Sequence, residues 1–205
     1  MIILIAGTNG AGKTHLMRRI LAKLPEPDSH TVITKPNGKP VTVAVNWDDT
    51  RDPSIWPGSH DITVLGKYDG PTCGGCDCYS WKGASDDLER VVTEAVKAGR
   101  RVLLEGLIVA TWGQERMKRL KDLGLIVIQL STPLETCLDA VNGRRKTRAE
   151  AEGKEYTPVD PDNPSSKHRF LEKVAPVRRG LGVEVLQLDR EEAYRFVVER
   201  LGMRA

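Results

Sequence analysis

Aromatic residues are scarce: two Phe, four Tyr and four Trp make up 5% of 205 residues. The core must therefore be built on Val, Ile and Leu, which suits an α/β protein. Long hydrophobic runs are missing too. No stretch approaches the roughly 20 apolar residues of a membrane span, so a membrane partner is excluded. The apolar start, Met1–Ala6, lacks a basic n-region and a cleavage site and reads as a strand rather than a signal. The expectation is a cytoplasmic chain whose four cysteines stay reduced. Nor is there a large excess of one charge. Lys and Arg total 31 against 28 Asp and Glu, and a net +3 is too small by itself to announce a nucleic-acid binder. There is no internal repeat, low-complexity tract, coiled coil or appended domain. With 40% apolar residues the chain reads as one domain, 1–205.

What is present begins at the first residues. Ile2-Ile3-Leu4-Ile5-Ala6 runs into Gly7-Thr8-Asn9-Gly10-Ala11-Gly12-Lys13-Thr14, a G-x-x-x-x-G-K-T phosphate loop between a strand and an amphipathic helix. Glycines let successive backbone N–H groups converge on a polyphosphate without Cβ clashes. Lys13 is placed to reach the β- and γ-phosphates, Thr14 to ligate Mg²⁺, and the helix start points its positive end at the anion. The expected cofactors are ATP (or GTP) and Mg²⁺.

Strand-length apolar runs alternate with helix-period segments, the pattern of a parallel sheet covered on both faces. Strands are expected at Ile2–Ala6, Ile62–Gly66, Val102–Glu105, Leu125–Leu130 and Val183–Leu188, giving a five-stranded parallel sheet. Helices are expected after the P-loop and over Ser85–Ala98, Gln114–Leu123, Pro133–Arg148, Ser165–Arg179 and Arg190–Leu201. Thr132-Pro133-Leu134-Glu135 and Asp189-Arg190-Glu191-Glu192 carry helix-start signals, Thr132 and Asp189 being the capping residues. Residues 25–60 interrupt the alternation as an insert. Within it His30–Lys35 and Val41–Trp47 flank an Asn37-Gly38 turn and read as a β-hairpin. Residues 153–166, rich in Pro, Asp, Asn and Ser, read as a mobile loop inside a lid region, 142–166.

Several residues could carry chemistry. Glu105 ends a strand and precedes Gly106, where open parallel sheets place their ligands, and could act at a metal or an acceptor. Arg144 and Arg148 share a helix face and could close over a transferring phosphate, whereas Arg145 points elsewhere. The segment Gly66-Lys67-Tyr68-Asp69 through Cys73-Gly74-Gly75-Cys76-Asp77-Cys78 reads as a glycine-rich acceptor loop. Asp69 or Asp77 there is a carboxylate for an acceptor hydroxyl, with Gly74 and Gly75 lying against a base or sugar. Zinc at Cys73, Cys76 and Cys78 is the weaker reading, because a structural site needs four ligands and only His60 or Cys137 could complete it. Asp48 and Arg51 form a second acceptor candidate. Asn163 through Arg169 reads as a helix start that is solvated rather than phosphate-binding.

The P-loop, the arginine-rich lid and Glu105-Gly106 resemble the nucleoside and nucleotide kinase group of P-loop proteins, which implies a phosphotransferase. Asn46-Trp47-Asp48-Asp49-Thr50-Arg51 is similar to the N-R-D-D-x-R stretch of polynucleotide 5′-kinases, with Trp47 departing from it. That likeness implies Asp48 as the base and Arg51 as a phosphate ligand. Gly66-Lys67-Tyr68, Cys73 through Asp77, Leu104-Glu105-Gly106-Leu107, Ser131 through Glu135 and Asn163 through Arg169 together resemble bacteriophage P-loop kinases. These include 5-hydroxymethyluracil DNA kinases, which phosphorylate a hydroxymethyl group on a base already in DNA. That resemblance implies Asp77 and Glu105 near the acceptor. The remaining alternatives are a deoxynucleoside monophosphate kinase and a nucleotide-gated binding protein with slow ATPase activity. The basic segments 142–148 and 167–169 and a pI near 8.7 tilt toward a DNA acceptor. Nothing in the sequence sets the oligomeric state.

Overall fold

Ile2–Ala6 is apolar at every position, which a strand can only be when both of its faces are covered. It is an interior strand of the sheet. Ile2, Leu4 and Ala6 point into one core and Ile3 and Ile5 into the other. In a computed structural model, which describes residues 1–48, 61–68 and 74–203, this strand (β1) leads into α1 (Lys13–Leu21) and then a hairpin, β2 (Ser29–Thr34) and β3 (Pro40–Trp47). Next come β4 (Ile62–Leu65), a single 3₁₀ turn (Cys76–Cys78), α2 (Ala84–Lys97), β5 (Arg101–Glu105), the short α3 (Leu107–Ala110) and α4 (Gln114–Asp122). The chain continues through β6 (Leu125–Leu130), α5 (Leu134–Ala151), α6 (Asp162–Gly180), β7 (Glu184–Leu188) and α7 (Arg190–Arg200).

The expected five parallel strands are all present, in the order β4-β5-β1-β6-β7. The sheet nevertheless has seven strands rather than five. The two extra strands are those of the hairpin, which joins the sheet: β3 pairs antiparallel with β4 and carries β2 to the edge. An Asn-Gly turn signals a hairpin locally, whereas docking onto a distant edge is a long-range pairing that no local signal encodes. Two further expectations change. The stretch expected to be a mobile loop over 153–166 is helical from Asp162 onward. Thr132 does not cap α5: its hydroxyl donates to the carbonyl of Ala11 at 3.0 Å, so the P-loop outcompetes the helix end for it. Asp189 does cap α7, accepting from the amides of Glu191 and Glu192 at 2.8 Å while Glu192 bonds back to the Asp189 amide. No helix among the described residues is long and apolar enough to cross a membrane.

Register sets the site. Ile5 lies opposite Glu105 and Ala6 opposite Gln129, so the P-loop and Glu105 leave the sheet at the same carboxyl edge. Because β3 is antiparallel, Trp47 lies opposite Ile62, the first residue of β4. That sends Asp48 to the other end of the sheet.

Candidate active site

The P-loop closes tightly on its neighbours. Gly10 has φ +90°, and a Cβ there would lie 2.9 Å from Cα of Cys137, in the first turn of α5. Lys13 is buried and folds back, its Nζ donating to the carbonyls of Gly7 at 2.9 Å and Thr8 at 3.3 Å. Those carbonyls hold the ammonium in the loop that would wrap a polyphosphate. The Thr8 hydroxyl is turned away and donates to the carbonyl of Pro164 at 3.3 Å, tying α6 to the loop.

Glu105 is 1% exposed. Its Oε1 accepts from the Thr14 hydroxyl at 2.8 Å, and its Oε2 has no hydrogen-bond partner among the described residues. Burial pushes its pKa up to about 7. The Lys13 ammonium and the Thr14 bond pull it down, while the Asp77 charge pushes it up. A buried carboxylate oxygen without a partner is suited to a cation, a proton or a donor. Paired with a hydroxyl, it is a hard-oxygen donor set that suits Mg²⁺, which takes one or two protein oxygens plus phosphate and water.

Asp77 meets Glu105 through two interlocking turns. Its Oδ1 accepts from the Ile108 amide at 2.9 Å, at the start of α3. A Cβ on Gly106 would lie 2.9 Å from the same oxygen, and one on Gly75 would lie 2.8 Å from the Glu105 carbonyl. These glycines thus allow close contact between carboxylate and backbone. A cavity of about 380 Å³ joins Asn9, Gly10, Gly12, Lys13, Thr14, Gly74, Asp77, Glu105 and Arg144. That volume is within the range of small-ligand sites.

Other expected residues lie elsewhere. Asp48 pairs with Arg100 at 2.7 Å, far from the P-loop edge. Arg51, Asp69, Cys73 and His60 fall outside the described residues. Lys67 pairs through its backbone with Gly75, and the hydroxyl of the partly buried Tyr68 donates to the Leu65 carbonyl at 3.1 Å. Both side chains line a larger cavity, about 780 Å³, under the hairpin. Arg145 donates to the carbonyls of Thr157 and Pro158, strapping the α5–α6 connection to its helix. Arg148 pairs with Glu152 at 2.7 Å and does not line the P-loop cavity. Burial pushes the Cys76 and Cys78 thiols up. No group of three or more His, Cys, Asp or Glu side chains is arranged to hold a metal among the described residues.

Besides Ala140, three cavity residues were not anticipated. His15 and Arg18 project from α1 at i, i+3 spacing, a signal the sequence does carry. Arg190 follows the α7 cap, and a Cβ on Gly12 would lie 2.7 Å from its Cδ. Its role is invisible in sequence because its position reads fully as part of a helix start.

No family model matches this chain. Over 98% of its length it is 30% identical to the 5-hmdU DNA kinase of Pseudomonas phage PaMx11, covering 96% of that protein. Among solved structures it is similar to a chain of the PezAT chromosomal toxin–antitoxin system of Streptococcus pneumoniae. There the TM-score is 0.46 and the identity 16%, over 94% of this chain and 69% of that one. A gluconokinase from Sinorhizobium meliloti 1021 gives a TM-score of 0.43 and 10% identity, over 98% of this chain and 88% of that one. The chain is a P-loop kinase and belongs to the 5-hmdU DNA kinase family.

Proposed function

We propose that the chain moves the γ-phosphate of ATP, with Mg²⁺, onto the hydroxymethyl oxygen of 5-hydroxymethyluracil in DNA. The observation that carries this is the pairing of Glu105 with Thr14 beside Lys13 and Asp77, in one cavity of a chain so related along its whole length. The acceptor oxygen attacks the γ-phosphorus as the bond to the β–γ bridging oxygen breaks, and ADP leaves. Asp77 orients the acceptor hydroxyl and takes its proton, its carboxylate held by the Ile108 amide. Lys13, released from the Gly7 and Thr8 carbonyls, and the loop amides hold the β- and γ-phosphates. Thr14 and Glu105 would hold the metal, which when bound neutralises charge on the phosphate oxygens. Arg144 contributes positive charge from α5, and the α5–α6 connection forms the lid.

Two tests follow from these roles. Asp77→Asn is expected to lower kcat about a hundredfold with ATP affinity unchanged, since it removes a proton acceptor and not a phosphate ligand. Steady-state kinetics on hydroxymethyluracil DNA, with ATP titrated separately, checks this; unchanged turnover removes Asp77 from the acceptor site. Arg144→Ala is expected to cost about a hundredfold in kcat through lost charge stabilisation. Arg148→Ala costs less, within about tenfold, because Arg148 is exposed and already paired with Glu152. Equal losses in the two variants would show that both arginines reach the phosphate.

A further inference from the structure

Arg178, near the end of α6, is 3% exposed and makes no salt bridge among the described residues. Its Nη2 donates to the Ala110 carbonyl and its Nη1 has no hydrogen-bond partner among the described residues. Burial draws the guanidinium down to about 10, so it remains a cation at neutral pH, on a helix whose Leu171 and Ala175 pack into the core. An uncompensated buried charge is costly, and an apolar side chain of similar size would avoid that cost. What the cation holds is therefore informative. Ala110 is the last residue of α3, where a positive group complements the exposed carbonyls. At the other end of the same turn, the Ile108 amide holds Asp77, and α3 begins two residues after Glu105. The short helix is thus fastened at one end to Asp77 and at the other to Arg178.

We propose that Arg178 is a positioning residue for phosphotransfer: by fixing the Ala110 carbonyl it fixes α3 and, through the Ile108 amide, the Asp77 carboxylate. This rests on the assignment of Asp77 to the acceptor hydroxyl. Arg178→Met, Arg178→Lys, Asp77→Asn and the Arg178→Met/Asp77→Asn pair test it, using whichever acceptor the wild-type protein phosphorylates best. Arg178→Met is expected to lower kcat about ten- to a hundredfold through misplacement of the carboxylate. ATP affinity should be unchanged, and the melting temperature unchanged or raised, because the uncompensated charge has gone. Arg178→Lys keeps the charge and one donor and should recover part of kcat. It also gives the kinetic answer if the Met variant does not fold.

In the Asp77→Asn background, Arg178→Met should cost no more than about threefold, since the route is already cut. Wild-type kcat in Arg178→Met, or its full effect on top of Asp77→Asn, overturns the proposal. So does a kcat loss matched by losses of melting temperature and ATP affinity, which is what a purely structural role gives. If Asp77→Asn is slow and Arg178→Met is not, the positioning role alone falls. If Arg178→Met is slow and Asp77→Asn is not, the assignment of Asp77 falls and takes this route with it.

Discussion

Glu105→Gln is expected to lower kcat about a thousandfold while the protein stays folded. The substitution keeps the shape and leaves an oxygen to accept the Thr14 hydroxyl, now at 2.8 Å from Oε1. What it removes is the negative charge and the acceptor capacity of Oε2, the buried oxygen without a partner. If Glu105 holds the metal or tunes the acceptor, neither survives an amide. Stability should move the other way in the metal-free protein. The folded-state pKa is about 7 against an ordinary value of 4.5, with burial the main cause. Below pH 4.5 both folded and unfolded chains keep the proton, so Glu105 makes no difference. Between the two values the folded chain holds a proton that the unfolded chain has lost, and stability declines as pH rises. Above about 7 the loss is constant, of order 3 kcal/mol. Gln cannot ionise and escapes it. Thermal melts in EDTA should therefore show Glu105→Gln melting above wild type at pH 8 and level with it near pH 4.5. A variant that melts below wild type at pH 8 would contradict a buried carboxylate with one oxygen unpartnered.

Gly75→Ala is expected to cost about 2–4 kcal/mol of stability and about a hundredfold in kcat. Two terms add. Gly75 has φ +75° and ψ −159°, an extended positive-φ conformation essentially reserved for glycine and worth about 1–3 kcal/mol against any L side chain. The new Cβ would also sit 2.5 Å from the Glu105 carboxyl carbon and 2.8 Å from its carbonyl oxygen. Neither atom can yield easily. The carbonyl belongs to a central strand paired with β1, and the carboxyl is tied to Thr14. Gly83→Ala gives a positive-φ cost without the contact: Gly83 is left-handed, at φ +91° and ψ −1°, and nothing lies within 4 Å of where its Cβ would be. It should show the backbone cost alone and near-normal turnover. Equal effects of the two substitutions would mean that contact with Glu105 does not matter.

The parts of this molecule legible in its sequence are those whose signals are local. The P-loop, the five parallel strands and the Asp189 capping box each depend on a few consecutive residues, and each lies where expected. Glu105 was legible for a related reason, since a carboxylate at the end of a buried parallel strand can only face the ligand edge. Asp48 shows the limit. Its motif-like surroundings gave no indication that β3 runs antiparallel to β4, and that direction alone sends it to the wrong end, onto Arg100. Thr132 carries a helix-start pattern yet bonds to Ala11, because the choice between two acceptors is made by tertiary proximity. Arg178 and Arg190 are ordinary helix arginines in sequence. Only packing shows one aimed at α3 and the other against Gly12.

The acceptor is tested most directly by following the transferred phosphate. Purified protein is given ATP labelled at the γ-phosphate, with Mg²⁺, and three acceptors side by side. These are duplex DNA containing 5-hydroxymethyluracil, ordinary DNA with free 5′-hydroxyls, and a pool of deoxynucleoside monophosphates. The expected result is label in the hydroxymethyluracil DNA, resistant to removal of the 5′ end and lost in Glu105→Gln and Asp77→Asn. Label confined to the mononucleotides or the 5′ ends, or release of free phosphate with no acceptor labelled, would contradict it.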